Sequence, residues 1–328
     1  MGMANGGWRM ANGGFAFLLG CALAFPVDAQ PYPSRPVRVV VPFAPGGAVD
    51  LVARTVAPRL SEALGQSVVV DNRSGAGGTI GTDIVAKARP DGHTLLVASM
   101  GVAVNAVLYP KLPYDTLKDL APITTLGEQP NIVVVHPAVA AKSFGEFLAL
   151  ARAKPGRITY GSGGVGSNSH LATVLFVQMA KLDLLHVPYK GLGPAITELV
   201  GGQVQMVVSN VSTALPHVKS GRLRLLAVTS AKRFPLFPET PTVSEAGVPG
   251  HESSGWYGMW GTVGTPPAIL ATLNREMVKI LESPGVREQF NTQGLQPIPV
   301  SAAAFDKRLR EEIRKWGPVV RASGAKPE

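Results

Sequence analysis

Three glycine-rich stretches are the residues best placed to do chemistry in this 328-residue chain. They are Pro42-Phe43-Ala44-Pro45-Gly46-Gly47-Ala48-Val49-Asp50, then Ser74 to Gly81, then Gly161 to Ser167. Each follows a β-branched or apolar run and precedes a run with helical spacing. Glycine removes the side chain that would hold a ligand away from the backbone. A helix starting behind such a loop offers unpaired N–H groups and a partial positive charge. Together they make an anion site that needs no Lys or Arg. In the third stretch Ser162, Ser167, Asn168 and Ser169 add side-chain donors. Asp50 has two readings, a cap or first-turn charge, or an acceptor for a ligand ammonium or hydroxyl. His170, about one turn into the helix, is either a cleft-lining donor or a hydrogen-bonded core histidine.

Other chemistries find weaker support. Gly161-x-Gly163-x-x-Gly166 fits the dinucleotide fingerprint, with Asp183 at the distance of a ribose contact, but a lone fingerprint is a weak signal. The P-loop ending in Gly-Lys-Ser/Thr is absent, and no Gly-x-Ser-x-Gly elbow occurs. His251-Glu252 begins like a zincin motif, but Gly255 stands where the second His belongs. The six His residues do not recur at metal-ligand spacing. No cofactor, no metal and no catalytic residue is therefore expected.

The loops need elements to position them. Val37–Val41, Ser67–Asp71 and Thr94–Ser99 read as strands, with helices from Asp50 to Leu64 and from the second loop to Ala88 between them. This βαβαβ order predicts a parallel sheet with helices on both faces. A second unit begins at Asn131–Val135. It continues through a helix near Ser143–Ala153, the strand Arg157–Tyr160, the third loop, and a helix from Asn168 to Met179. Strands at Leu184–Val187, Val204–Val208 and Leu223–Thr229 follow, with a helix Gly193–Val200 among them. Ala268–Leu281 and Ala302–Ala322 read as helices, the latter broken near Pro318. Two α/β halves, each with a glycine-rich loop after a strand, make a natural ligand trap where strand ends and helix starts converge.

Bulk properties fit export. Arg9 precedes an apolar run from Phe15 to Val27, about the length of a signal-peptide core and short of the roughly 20 residues a span requires. Val27-Asp28-Ala29 reads as the cleavage site, so residues 1–29 are expected to be a signal peptide. Leu18-Leu19-Gly20-Cys21 offers a lipobox as a minority route. Cys21 is the single cysteine, so a chain cleaved at Ala29 has no thiol chemistry. The net charge of +9 is scattered, without a basic run interleaved with aromatics, and reads as general attraction for anions rather than a nucleic-acid surface.

Several segments together resemble one family. They are Tyr32 to Asp50, Asn72-Arg-Ser-Gly-Ala-Gly-Gly-Thr-Ile-Gly81, Tyr160 to His170, His186-Val-Pro-Tyr-Lys-Gly191 and Leu225 to Arg233. In order along the chain, they resemble the Bug family, the substrate-binding proteins of tripartite tricarboxylate transporters. The resemblance implies a two-domain periplasmic-binding-protein (Venus-flytrap) α/β fold, each domain a central mostly parallel sheet flanked by helices. It implies a small carboxylated ligand gripped by Phe43, Ala44, Gly46, Gly47 and Asp50 on one side. On the other side stand Ser162, Gly163, Gly166, Ser167, Asn168 and His170. The Ala76-Gly77-Gly78 turn lines the cleft, with Ser99 and Asn105 near it.

One stretch departs from the family pattern. Where members carry Asp, this chain has Gln205 and Ser209, the latter beside Asn210 at an expected cleft position. Losing a carboxylate there removes repulsion toward a second anionic group, or removes an acceptor for a ligand ammonium. Trp256, Tyr257 and Trp260 read as core or as an aromatic wall. The expected organisation is domain 1 from 30–130 and 250–328, and domain 2 from 131–249. The expected role is a periplasmic receptor, not an enzyme. It acts as a monomer, meets membrane permease subunits and has no nucleic-acid partner. A ligand sensor and an extracytoplasmic enzyme are the alternatives.

Overall fold

The computed structural model describes residues 1–4, 6, 7 and 32–323. The apolar run Phe15–Val27, the cleavage site at Ala29 and the Cys21 lipobox lie outside the described residues. Among the described residues no helix is long and apolar enough to cross a membrane.

The β-branched run Val37–Val41 forms β1. After the first glycine loop comes helix α1, Ala48–Leu64, which ends on left-handed Gly65. It starts two residues before Asp50, which puts that carboxylate in the first turn. Strand β2 (Val68–Asn72), a single 3-10 turn (Ala76–Gly78), helix α2 (Thr79–Ala86) and strand β3 (Thr94–Ser99) follow. β1 pairs in parallel with both β2 and β3, as the βαβαβ order requires.

Helix α3 (Gly101–Leu108) and a 16-residue strand β4 (Leu120–Val135) come next. The sequence reading found only the last part of β4, because Pro122, Gly127 and Pro130 punctuate the rest. The strand absorbs them with register shifts between Pro122 and Thr124 and between Thr125 and Gly127. Next come α4 (Phe144–Ala153), β5 (Thr159–Ser162), α5 (Asn168–Ala180), β6 (Leu185–Pro188) and α6 (Leu192–Val200). Then follow β7 (Met206–Asn210), α7 (Val211–Lys219), β8 (Arg224–Val228) and β9 (Ser254–Thr262). The chain closes with α8 (Pro267–Glu282), α9 (Pro284–Thr292) and α10 (Ala302–Ser323). α8 and α9 each begin on a proline, whose missing N–H costs nothing in a first turn. α10 runs on through Pro318 rather than breaking there. Trp316 and Val320, buried on either side of the proline, hold the helix against the core at that point.

The strand order is β2-β1-β3-β9-β4-β7-β5-β6, with β8 also on β4. β4 joins the halves. Its Leu120–Pro130 portion pairs antiparallel with β9, and Asn131–Val135 lies between β7 and β8. Thr229, just past β8, ties the crossover together. Its Oγ accepts from Asn131 N at 2.9 Å, and its N donates to Asn131 O at 2.9 Å. Its carbonyl accepts from Ser253 N at 2.9 Å, where the chain re-enters β9.

α10 seals the first half. Phe305 packs against Trp256 and Trp260 of β9 with ring centroids 5.6 and 4.8 Å apart. All three are buried core residues. Gly258 makes room for it, because a Cβ at 258 would stand 2.2 Å from the Phe305 ring. We predict that Phe305→Ala destabilises the protein by about 3–5 kcal/mol, the cost of truncating a buried aromatic. Urea unfolding followed by tryptophan fluorescence measures it, and a loss below about 1 kcal/mol would refute this packing.

Candidate functional site

Four helices begin around one cavity. It encloses about 360 Å³ of space free of protein atoms, part of it open to solvent. The start of α1 supplies Gly47, Ala48 and Val49, with Phe43 from the loop before it. The start of α5 supplies Ser167, Asn168 and Ser169, with Gly163 from its loop. Leu192 comes from the start of α6 and Asn210 from the cap position of α7. Ser99 and Tyr257 complete the wall from the ends of β3 and β9.

No lining side chain carries a formal charge. The caps of α1 (Gly47) and α6 (Gly191) take no side-chain hydrogen bond, so their first-turn N–H groups are not claimed by a capping side chain. In α7 the first-turn Ser212 N donates to Gln129 Oε1 at 3.0 Å. α5 differs, since Ser167 Oγ accepts from His170 N. Tyr257 adds a donor. Its oxygen accepts from Gln129 Nε2 at 2.6 Å, which leaves its own hydrogen for the cavity. Burial pushes its pKa up, so the phenol stays protonated.

Glycine lets the walls meet. Ala44 N donates to Lys190 O at 3.0 Å, so the first loop is bonded to the segment leading into α6. A Cβ on Gly193 would stand 2.7 Å from Pro45 O, and one on Gly191 3.0 Å from Ala44 N. On the far side, a Cβ on Gly77 would stand 2.0 Å from Val165 O, and one on Gly166 2.3 Å from Asn105 Oδ1. The chain comes close to itself at both places. Gly47 is less constrained, for a Cβ there meets only ordinary contacts at 3.7 Å and beyond.

Of the residues expected from sequence, Phe43, Gly47, Ser99, Gly163, Ser167, Asn168 and Asn210 converge on this cavity. Gly77, Gly78 and Asn105 line a smaller void of about 160 Å³ that shares Phe43 and Ser99 with it. The others stand behind the wall. Asp50 accepts from Gly46 N at 3.1 Å, Arg54 Nε at 3.0 Å and Asn72 Nδ2 at 3.0 Å. Asn72 Nδ2 also donates to Phe43 O. Burial works to raise the Asp50 pKa, but the bonds from Arg54, Gly46 and Asn72 outweigh it and hold the carboxyl below its usual range. Its oxygens brace the first loop rather than face the cavity.

Ala76 O accepts from Tyr109 Oη at 3.0 Å. Gly46 lies on an outer groove with Gly193 and His217. Ser209, expected near the cleft, is fully buried and donates to Asn210 O, because successive residues of a strand face opposite ways. Gln205 accepts from Thr159 N at 2.8 Å and fastens the start of β5. Sequence reasoning did not single out Ala48, Val49 or Leu192 as lining residues; it gave Ser169 as a side-chain donor and left Tyr257 between core and aromatic wall. Gly191 and Gly193, which flank Leu192 at the start of α6, were the available signal for it. For Tyr257 the choice between core and wall stayed open, because β9 reaches the cavity from far along the chain.

Behind the third loop lies a stack of rings. His170 and His186 are 4.5 Å apart, and His186 and Tyr160 are 4.7 Å apart. Gly166 N donates to His170 Nδ1 at 3.2 Å, a bond that requires an unprotonated nitrogen. His186 Nε2 lies 2.6 Å from Ser162 Oγ, but Ser162 is fully buried, which denies a substrate access to this Ser–His pair. Burial lowers the His170 pKa to about 3, helped by neighbouring His186, and lowers those of His186 and His251 to about 4. Among the described residues no three His, Cys, Asp or Glu side chains gather as a metal site.

Comparison with known proteins agrees with this geometry. The family model described as "Tripartite tricarboxylate transporter family receptor" matches residues 52–325. Protein BugT of Bordetella pertussis is 40% identical over 312 residues, 94% of this chain and 96% of that protein. Rpa4515 of R. palustris, solved with adipate, is 36% identical with a TM-score of 0.87 over 90% of this chain and 100% of its own. MatC of Rhodopseudomonas palustris, solved with bound malate, is 34% identical with a TM-score of 0.84 over 88% of this chain and 100% of its own. The chain belongs to the tripartite tricarboxylate transporter receptor family, the Bug proteins, and has their two-domain periplasmic-binding-protein fold.

The buried histidines set a pH dependence. Their folded pKa values lie below the unfolded value near 6.5, so the unfolded chain binds more protons below that pH. We predict that stability is level above about pH 6.5 and falls toward pH 4, by on the order of 1.4 kcal/mol per pH unit for each histidine. Denaturant unfolding across pH 4–8 measures it. His170→Asn, whose carboxamide oxygen still accepts from Gly166 N, should shallow the slope, and an unchanged slope would refute the assignment to His170.

Proposed function

We propose that this member of the tripartite tricarboxylate transporter receptor family captures a small organic carboxylate in the cavity between α1, α5, α6 and α7. It does so in the periplasm, after export by its N-terminal segment, and delivers the ligand to the membrane subunits of a transporter. One observation carries the reading. Four helix starts face a cavity that no charged side chain enters, and those of α1 and α6 have no first-turn N–H taken by a capping side chain. Such a cavity offers N–H groups and positive helix ends to an anion, which satisfies them in return. The Tyr257 hydroxyl adds a neutral donor of the same sense. The adipate and malate found in the two R. palustris proteins support a carboxylate as the anion.

The domains in this reading are 30–130 with 250–328, and 131–249. The partner change of β4 at Asn131 supports that division. Closure brings Ala44–Gly46 against Lys190–Gly193, so loop contact and ligand capture are one event. The role is binding and delivery by a monomer, without a catalytic step.

A thermal-shift screen of small mono-, di- and tricarboxylates tests the ligand class. An acid at 100 times its Kd adds about 2.7 kcal/mol, a rise of several degrees in melting temperature. A panel in which uncharged amides and alcohols of the same carbon skeletons stabilise as well as the acids would sink the carboxylate reading. Closure has its own test. Gly193→Ala should leave the fold intact and weaken the best acid about 10-fold or more by calorimetry, because its Cβ strikes Pro45 O. Unchanged affinity in the folded variant would refute a closed first loop. Delivery is tested by deletion, which should abolish uptake of that acid. A strain that imports it normally but loses induction would make the protein a sensor instead.

A further inference from the structure

Three asparagines meet at one buried oxygen. Asn168 Nδ2 donates to Asn131 Oδ1 at 2.9 Å, and Asn210 Nδ2 donates to the same atom at 3.1 Å. Asn131 is fully buried at the partner change of β4 and does not line the cavity, whereas Asn168 and Asn210 both do. A carboxamide is planar, so fixing its nitrogen fixes its oxygen on the opposite side. Neither Asn168 Oδ1 nor Asn210 Oδ1 accepts a bond from the described residues, and neither is among the polar atoms sealed off without a partner. Both residues are 7% exposed or less and both line the cavity, so those oxygens meet solvent through it. Gly255 keeps the arrangement possible. A Cβ there would stand 2.5 Å from Asn168 Nδ2 and 3.2 Å from Asn210 Nδ2.

We infer that Asn131 is a positioning residue that turns two carboxamide oxygens toward the ligand, and that the ligand meets them with an uncharged O–H or N–H donor. This rests on the carboxylate reading above and narrows it. The helix starts take the carboxylate, and the asparagine pair takes a hydroxyl or carboxamide elsewhere on the molecule. A second ionised carboxylate at that place would face two acceptors and no hydrogen. The preferred class is therefore a hydroxy or carboxamide acid over the plain dicarboxylate of equal length.

Matched acids test it by calorimetry on the intact protein, namely 4-hydroxybutyrate against succinate, 5-hydroxypentanoate against glutarate, and 6-hydroxyhexanoate against adipate. Butyrate, pentanoate and hexanoate, which have no second polar group, are the references. The wild type should favour the hydroxy acid about 10-fold over its dicarboxylate in the pair that binds best. Asn131→Leu removes the shared acceptor, and Gly255→Ala displaces both amides without entering the cavity. Each should erase that preference while leaving affinity for the reference acid within about 3-fold. A wild-type preference for the dicarboxylate would put the two NH2 groups on the cavity and overturn the inference. So would a preference that survives in a folded Asn131→Leu or Gly255→Ala protein. If no acid of the series binds the folded wild type, it is the carboxylate reading that fails, not the asparagine geometry alone.

Discussion

The close approach of backbone to backbone is the constraint on which the site depends. A ligand held by main-chain N–H groups needs helix starts within a few ångströms of one another, and any Cβ in the gap forbids it. Gly191 and Gly193 against Ala44–Gly46, and Gly77 against Val165, meet that condition. The side chains that matter most for these loops stand behind them. Asp50 and Asn72 brace the first loop, and neutral His170 Nδ1 braces the third through Gly166. Their task is to keep polar backbone fixed, which is why they turn inward and leave the wall uncharged.

The sheet serves the same end. Three parallel strands on each side deliver their C-terminal ends, and the helices that follow them, to a common region. β4 passes from one side to the other without interruption, and Thr229 binds it to the two neighbouring crossings. Asn210, paired across the sheet with Asn131 of β4 at this crossover, lines the cavity. Register in the sheet thereby sets the position of groups on the cavity wall.

Much of this was legible in the residues. Valine runs and glycine loops locate β1, α1, β5 and α5 to within a few residues, because local signals of period and punctuation decide them. The first part of β4 was hidden, since proline and glycine read as breakers and only tertiary pairing with β9 overrides them. α7 was hidden for a related reason, having Pro216 in its interior. At the site, residues on the loops themselves were found. Tyr257 was left between core and wall, because nothing local tells which face of a buried strand meets a cavity. The glycines told where backbone must come close. They did not tell which polar side chains face the opening and which, like Asp50 and Ser209, turn away.

The absence of charge from the wall separates two properties that are often joined. The excess of cations, +9 over the whole chain, acts at long range on an approaching anion and is screened by dissolved salt. Aligned peptide dipoles at a largely enclosed wall are screened less than charges on the open surface. Capture rate is thus open to the ionic strength of the surroundings, while residence time answers to geometry. For a protein in a compartment whose salinity follows the outside medium, the hold on the ligand is buffered against the weather.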